Sequence, residues 1–196
     1  MAFAEPITLS GEHAVLEPLA ATHETDLQDA ARDGELWKLW YTSVVPPERM
    51  RAEIERRLGL QEEGIMLPFA VLDPATHRAV GMTTYMNIDE KNRRVEIGST
   101  WYAKHVQRTA LNTECKLMLL THAFESLKCI AVEFRTHWMN QQSRDAILRL
   151  GAKQDGVLRN HAIASDGSYR DTVCFSIIES EWPAVKSHLQ FKLGRT

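Results

Sequence analysis

The sequence predicts one α/β domain, α+β in character, spanning residues 1–196, with a mixed, mostly antiparallel central sheet flanked by helices. Three observations predict it. Strand-like and helix-like stretches follow one another in the order β-α-α-β-β-β-α-β-α-β-β-α, with no repeat and no linker dividing them. Hairpin-length turns link the middle strands while helices separate others, so the sheet is mixed rather than all-parallel. Finally, 196 residues with 44% apolar composition are enough to bury a core without disulfides or metal staples.

Each element has its own local reason. Residues 13–19 (HAVLEPL) alternate like a first strand, and Thr22 is placed to cap a helix over 24–32. Pro46 and Pro47 open a second helix, 48–62, with Met50, Ile54 and Leu58 on one stripe. Strands follow at 69–72, 79–86 and 94–102, with turns at Asp73-Pro74 and over 89–92. A helix over 112–127 carries Leu117, Leu120, Phe124 and Leu127 at helical spacing. Over 130–138 the period is two, with Ile130, Val132, Phe134, Thr136 and Trp138 on one face. Glu133, Arg135 and His137 lie on the other. The helix over 141–150 ends at Gly151, a residue suited to a C-cap. Strands at 152–159 and 171–178, joined through Ser165-Asp166-Gly167, and a helix over 180–192 complete the order.

Composition removes several functional classes. The net charge is −3 and the basic residues are dispersed, so neither a nucleic acid nor an anionic membrane is an expected partner. No apolar run reaches membrane-spanning length, and the first nine residues lack the basic and apolar regions of a signal peptide. Cys115, Cys129 and Cys174 are widely spaced among apolar neighbours. They read as small core residues of a reducing compartment rather than disulfides or a metal site. The expectation is a soluble cytoplasmic protein with no metal.

The run over 96–125, EIGSTWYAKHVQRTALNTECKLMLLTHAFE, reads as strand, donor-rich turn and helix. A helix start offers free backbone N–H groups and the positive end of its dipole, which is what a pyrophosphate needs. Gln107, Arg108, Thr109, Ala110, Leu111 and Asn112 sit at that start, and Asn140-Gln141-Gln142-Ser143 opens the next helix. These residues, and the element order over essentially the whole chain, resemble the GNAT superfamily of N-acetyltransferases. The C-terminal runs Gly156-Val157-Leu158-Arg159 and Asp171-Thr172-Val173-Cys174-Phe175-Ser176 are most similar to its ribosomal-protein N-terminal acetyltransferase branch.

The resemblance implies acetyl-CoA as co-substrate. The family pattern is Arg or Gln, two variable residues, Gly, a variable residue, then Gly or Ala. Gln107 fits the first position, whereas Ala110 replaces the first glycine and Asn112 the last small residue. Alanine accepts positive φ less readily than glycine, and Asn112 brings a side chain near the phosphate path. Arg108 adds a charge for phosphate. Asn140 is an N-cap by position and, by the resemblance, a contact to the pantetheine arm. Backbone near Trp101 and Tyr102 is implied to serve the oxyanion, because family members splay two strands there.

Acyl transfer to an amine needs a base, an oxyanion donor and a proton for the departing thiolate. Ser143, turned inward by its spacing to Ile147 and Leu150, is the candidate for that last proton. The base is left open between Glu96, which shares a strand face with Gly98, and His137 at the end of the next strand. The segment 36–41 supplies Trp37, Trp40 and Tyr41 as walls for the acceptor, with the two tryptophans three apart on one helix face. The acceptor is a peptide N-terminus or a small-molecule amine. A homodimer is open by analogy with the family, with no apolar stripe to mark its interface. The alternative function is a GNAT-like module that binds acyl-CoA without turnover.

Overall fold

A computed structural model describes residues 3–42, 44–164 and 166–194, so Met1, Ala2 and Ser165 of the stretches read above lie outside the described residues. Eight strands form one sheet in the order β1-β2-β3-β4-β5-β6-β8-β7. They are β1 (Leu9–Ser10), β2 (Val15–Pro18), β3 (Met66–Leu72), β4 (Ala79–Asp89), β5 (Arg94–Tyr102), β6 (Ala131–His137), β7 (Lys153–Ile163) and β8 (Tyr169–Ile178). All neighbours run antiparallel except β5 and β6. That pair is parallel because a helix, α3 (Ala110–Thr121), carries the chain back over the sheet between them.

Two cores sandwich the sheet. On one face α1 (Glu24–Arg32) and α2 (Met50–Glu62) bury Leu27, Ala31, Met50 and Ile54 against Ala70, Met82 and Trp101. On the other, α3, α4 (Gln141–Arg149) and α5 (Trp182–Lys192) cover Phe69, Tyr85, Ile97, Val132, Phe134 and Phe175. Strand alternation sorts the residues between faces, so neighbours Trp101 and Tyr102 belong to different cores. On α5, Trp182 stacks on Phe124 at 5.3 Å and donates its indole N–H to Glu125 at 2.9 Å.

Several local expectations are corrected. Thr22 does not cap α1: a 3₁₀ turn, Ala21–His23, precedes the helix, and His23 Nδ1 accepts the Ala20 N–H at 3.1 Å. The third helix begins at Ala110 rather than Asn112 and gives way after Thr121 to a π turn, His122–Ser126. Ile130 and Trp138 fall outside β6 and are exposed, while Val132, Phe134 and Thr136 are buried as the period requires. The two-residue β1 carries no alternation of its own and exists through its register with β2. Gly151 does take the C-cap role, at φ +99°, with its N–H on the Leu148 carbonyl at 3.0 Å.

Candidate active site

The parallel β5–β6 ladder pairs Arg94, Val95 and Glu96 with Ala131, Val132 and Glu133 and goes no further among the described residues, although both strands continue. At the same point β5 bulges. Thr84 pairs with Gly98 and Met82 with Trp101, so Ser99 and Thr100 together oppose Thr83, and Ser99 sits at φ +47°. The bulge falls just past the last β5–β6 rung, where Gly98, Ser99 and Thr100 are partly exposed in mid-sheet. Gly98 gives the side chains of Met86 and Glu96 room here: a Cβ would lie 2.9 Å from Met86 Sδ and 3.0 Å from Glu96 Oε1 and would push those side-chain ends aside.

Glu96 lies at the last rung before the strands part and is only 6% exposed. Its Oε2 accepts from Asn87 Nδ2 at 2.7 Å and faces Arg135 Nε at 3.4 Å. Burial raises its pKa, opposed by the Asn87 hydrogen bond and the Arg135 charge. Glu133 beside it goes the other way. Burial alone would raise its pKa, but hydrogen bonds from Arg135 and Arg94 bring it below the ordinary value. These groups line a polar recess of about 190 Å³ with Asp89 and Val95. Two neighbouring carboxylates thus differ in protonation behaviour, with Glu96 the one whose proton is exchangeable nearer neutrality.

The turn into α3 is built differently from the expectation. The left-handed residue is Arg108, at φ +62°, not Ala110, which is already the first helical residue. The replacement of glycine by alanine at 110 therefore carries no backbone strain. Thr109 is the N-cap, accepting from the Leu111 N–H at 3.3 Å and donating to the Val106 carbonyl at 2.7 Å. Gln107 folds the preceding loop by donating Nε2 to the Tyr102 carbonyl at 2.9 Å. A recess of about 270 Å³ opens beside Val106, Thr109, Ala110 and Leu111, bounded on the far side by His13 and Asp73.

The acetyltransferase (GNAT) domain family matches residues 13–153 of the sequence. The chain belongs to this family. A solved relative, a GCN5-related N-acetyltransferase from Brucella melitensis, is 31% identical with a TM-score of 0.83, over 96% of this chain and 86% of that one. YdaF of Bacillus subtilis (strain 168), provisionally named a ribosomal N-acetyltransferase, is 32% identical over 106 residues, 54% of this chain. The chain thus spans 57% of the length of that curated relative. Mycobacterium smegmatis RimJ, solved in complex with CoA-disulfide, shares the GNAT fold at 20% identity and a TM-score of 0.81, over 97% of this chain and 96% of its own. The resemblance to the ribosomal-protein branch runs through these relatives, and GNAT acetyltransferases use acetyl-CoA.

Within this GNAT fold the aromatic candidates separate. Only Leu36–Lys38 forms a 3₁₀ turn, so Trp37 and Trp40 do not share a helix face. Trp37 packs half-buried into the α1–α2 core, whereas Trp40 is 54% exposed. Trp40 meets Tyr41 edge-on at 5.6 Å and His137 edge-on at 5.1 Å. His137 is buried, its Nδ1 accepts the Met139 N–H at 3.0 Å, and its Nε2 has no hydrogen-bond partner among the described residues. An acceptor Nδ1 places the ring proton on Nε2 in the neutral tautomer. Burial, aided by Arg170, lowers the His137 pKa, so that neutral form prevails.

Asn140 is the N-cap of α4, its Oδ1 accepting the Ser143 N–H at 3.0 Å. Ser143 is half-buried in the first turn, on a different element from Glu96. Trp101 and Tyr102 turn their side chains into the two cores. Asn140→Ala is expected to cost about 1 kcal/mol of stability in urea melts, while Asn140→Asp keeps the capping oxygen and costs less. Sequence reasoning missed Asn87 as a partner of Glu96, and missed Lys116 altogether. For Arg135 the signal was there, since it alternates with Glu133 on β6.

Proposed function

We propose that this chain is an acetyl-CoA-dependent N-acetyltransferase that moves an acetyl group to a primary amine by direct transfer. A peptide or protein N-terminus is the acceptor class favoured by the relatives' names, with a small-molecule amine as the other. The observation that carries the reading is Glu96, a buried carboxylate of raised pKa at the rung where β5 and β6 part. Free cysteines, two of them buried, suit a reducing cytoplasm.

The residues fit the cofactor's two ends. The first turn of α3, capped by Thr109 and flanked by Arg108, presents backbone donors for a pyrophosphate beside an open recess. Gln107, Ala110, Leu111 and Asn112 belong to the same turn. The half-exposed bulge before Trp101 and Tyr102 offers backbone N–H groups where the sheet is open. Asn140, whose capping uses only its Oδ1, is the contact to the pantetheine arm that the family resemblance implies. Acetyl-CoA supplies an activated acyl thioester.

The chain's own residues handle the protons. Glu96 takes the proton from the acceptor ammonium, its pKa raised by burial and its carboxylate aimed by Asn87. Glu133, held anionic by its arginines, favours a cationic acceptor over a neutral one. The amine nitrogen then bonds to the acyl carbon and the carbon–sulfur bond breaks; the thiolate takes the hydroxyl proton of Ser143, directly or through water, and the surplus proton of the new amide nitrogen replaces it on the serine. His137 is a poor base because its free nitrogen already holds the proton. It serves with Trp40 and Tyr41 as a wall of the acceptor site, Trp37 supporting that wall from the core.

Calorimetry with acetyl-CoA tests the reading, with Ala110→Glu as control. An acidic residue in the first turn suits the helix dipole, so the variant should stay folded while repelling phosphate. Binding by the wild type, weakened at least about tenfold (roughly 1.4 kcal/mol) by the substitution, is expected. Folded wild-type protein that does not bind would sink the reading.

A further inference from the structure

Lys116, on the second turn of α3, is only 6% exposed, and lysine is almost never buried without a carboxylate. Among the described residues its Nζ has two partners, the hydroxyls of Thr100 at 3.0 Å and Thr83 at 3.3 Å. Those two hydroxyls also bond each other at 2.8 Å. An ammonium has three donors, so this triangle leaves one unused. Thr100 is not an ordinary core residue: it is one of the bulge residues on the open stretch of β5, and it is half-exposed. Through Thr100 the lysine is hydrogen-bonded to the stretch of β5 that lies beyond its last rung with β6.

We propose that Lys116 is a cofactor-binding residue, its spare N–H donating to an acceptor oxygen of the acyl-pantetheine arm where the arm passes the β5 bulge. The inference rests on the acetyl-CoA reading above. An unpaired ammonium is costly in a dry site and becomes favourable once a strong acceptor arrives, so binding and protonation are linked. Burial lowers the Lys116 pKa to about 8 in the empty site. The thiol and the phenols nearest to it are silent near that pH. Cys115 on α3 is pushed up to about 12 by burial. Burial carries Tyr102 on β5 and Tyr85 on β4 well above the ordinary phenol range. Glu114 on α3 has its carboxylate occupied by the N–H groups of Glu12, His13 and Ala14.

Calorimetry at pH 8 in phosphate and in Tris, which differ in ionisation enthalpy, reads this without turnover. With a free-site pKa of about 8, the wild type is expected to take up about half a proton per acetyl-CoA bound. Lys116→Met should abolish that uptake and weaken binding about tenfold. It should also raise the melting temperature, because an uncompensated buried charge is gone, and a residue that merely held the fold would lower it. Thr100→Val is the second variant: it removes the hydroxyl that aims the ammonium and should weaken binding in the same direction. Wild-type binding without proton uptake would overturn this proposal alone, as would uptake that persists in Lys116→Met. Absence of wild-type binding would overturn the cofactor reading and this proposal with it.

Discussion

Glu96→Gln is expected to lower kcat/KM for the acceptor amine by about 10²–10³, or roughly 3–4 kcal/mol of transition-state stabilisation. Glutamine keeps the size of the side chain and can still bond to Asn87, but it cannot take a proton. The pH dependence follows from the direction of the shift. A base works only when deprotonated, and burial raises the Glu96 pKa. Activity of the wild type should therefore fall on the acid side at a pH above the ordinary carboxylate range of about 4.3. The Gln variant should lose that limb while acetyl-CoA affinity stays near wild type. A steady-state pH profile over a panel of peptide N-termini checks both. A variant with unaltered kcat/KM would remove Glu96 from the mechanism and leave the recess a structural ion-pair cluster.

The largest expected loss of stability lies on α3, two residues before Lys116. Glu114 is fully buried, and its carboxylate accepts the N–H groups of Glu12 at 2.9 Å and Ala14 at 2.8 Å, and that of His13 between them. Three successive backbone donors are thus satisfied by one side chain, which pins the β1–β2 segment to the helix. Glu114→Ala strands those donors, that of Ala14 in a fully buried position and those of Glu12 and His13 in partly buried ones. The expected cost is about 3 kcal/mol or more, given 1–3 kcal/mol for each orphaned buried group. For a domain of this size that corresponds to a drop of roughly 6–12 °C in Tm. Gly11→Ala should act on the same contact, since a Cβ there would stand 2.3 Å from Glu114 Cδ. A loss below about 1 kcal/mol in chemical denaturation would mean that water replaces the carboxylate.

Much of the fold was legible because its signals are local. The Pro46-Pro47 pair, the alternation of β6 and the glycine after α4 each act within a few residues, and the elements they announce are present. What escaped depends on partners far away in sequence. The strand at Leu9–Ser10 is two residues long and is defined by Leu16 and Val15 across from it. The start of α3 is set by Thr109 and a left-handed Arg108, a conformation that nothing in an arginine announces. Trp37 and Trp40 were separated because the chain leaves its 3₁₀ turn at Lys38, a break that spacing alone does not reveal.

The candidate site divides the same way. Glu96 was legible through its period-two relation to Gly98, and the register brought Arg135 and Glu133 to it. Asn87 reaches Glu96 from a left-handed position, φ +46°, on β4, which no strand pattern encodes. Lys116 reads in sequence as one more solvated helix lysine. Only the meeting of Thr83 and Thr100 above it, from two strands and across a bulge, shows that it is inside.

The parting of β5 from β6 also bears on how the molecule holds together. The sheet is two ladders, β1 through β5 and β6-β8-β7, sharing three rungs at Arg94, Val95 and Glu96. Those three rungs are the backbone pairing between the two ladders among the described residues, so what joins the halves beyond them is the side-chain core under α3, α4 and α5. A pantetheine arm bound as proposed would lie along the open edge of β5 as a missing strand, its amides facing backbone that is unpaired with β6 among the described residues. Under the proposed function, occupancy would be a mechanical matter as much as a chemical one: a bound arm would add backbone rungs between two ladders that share three, above a core common to both.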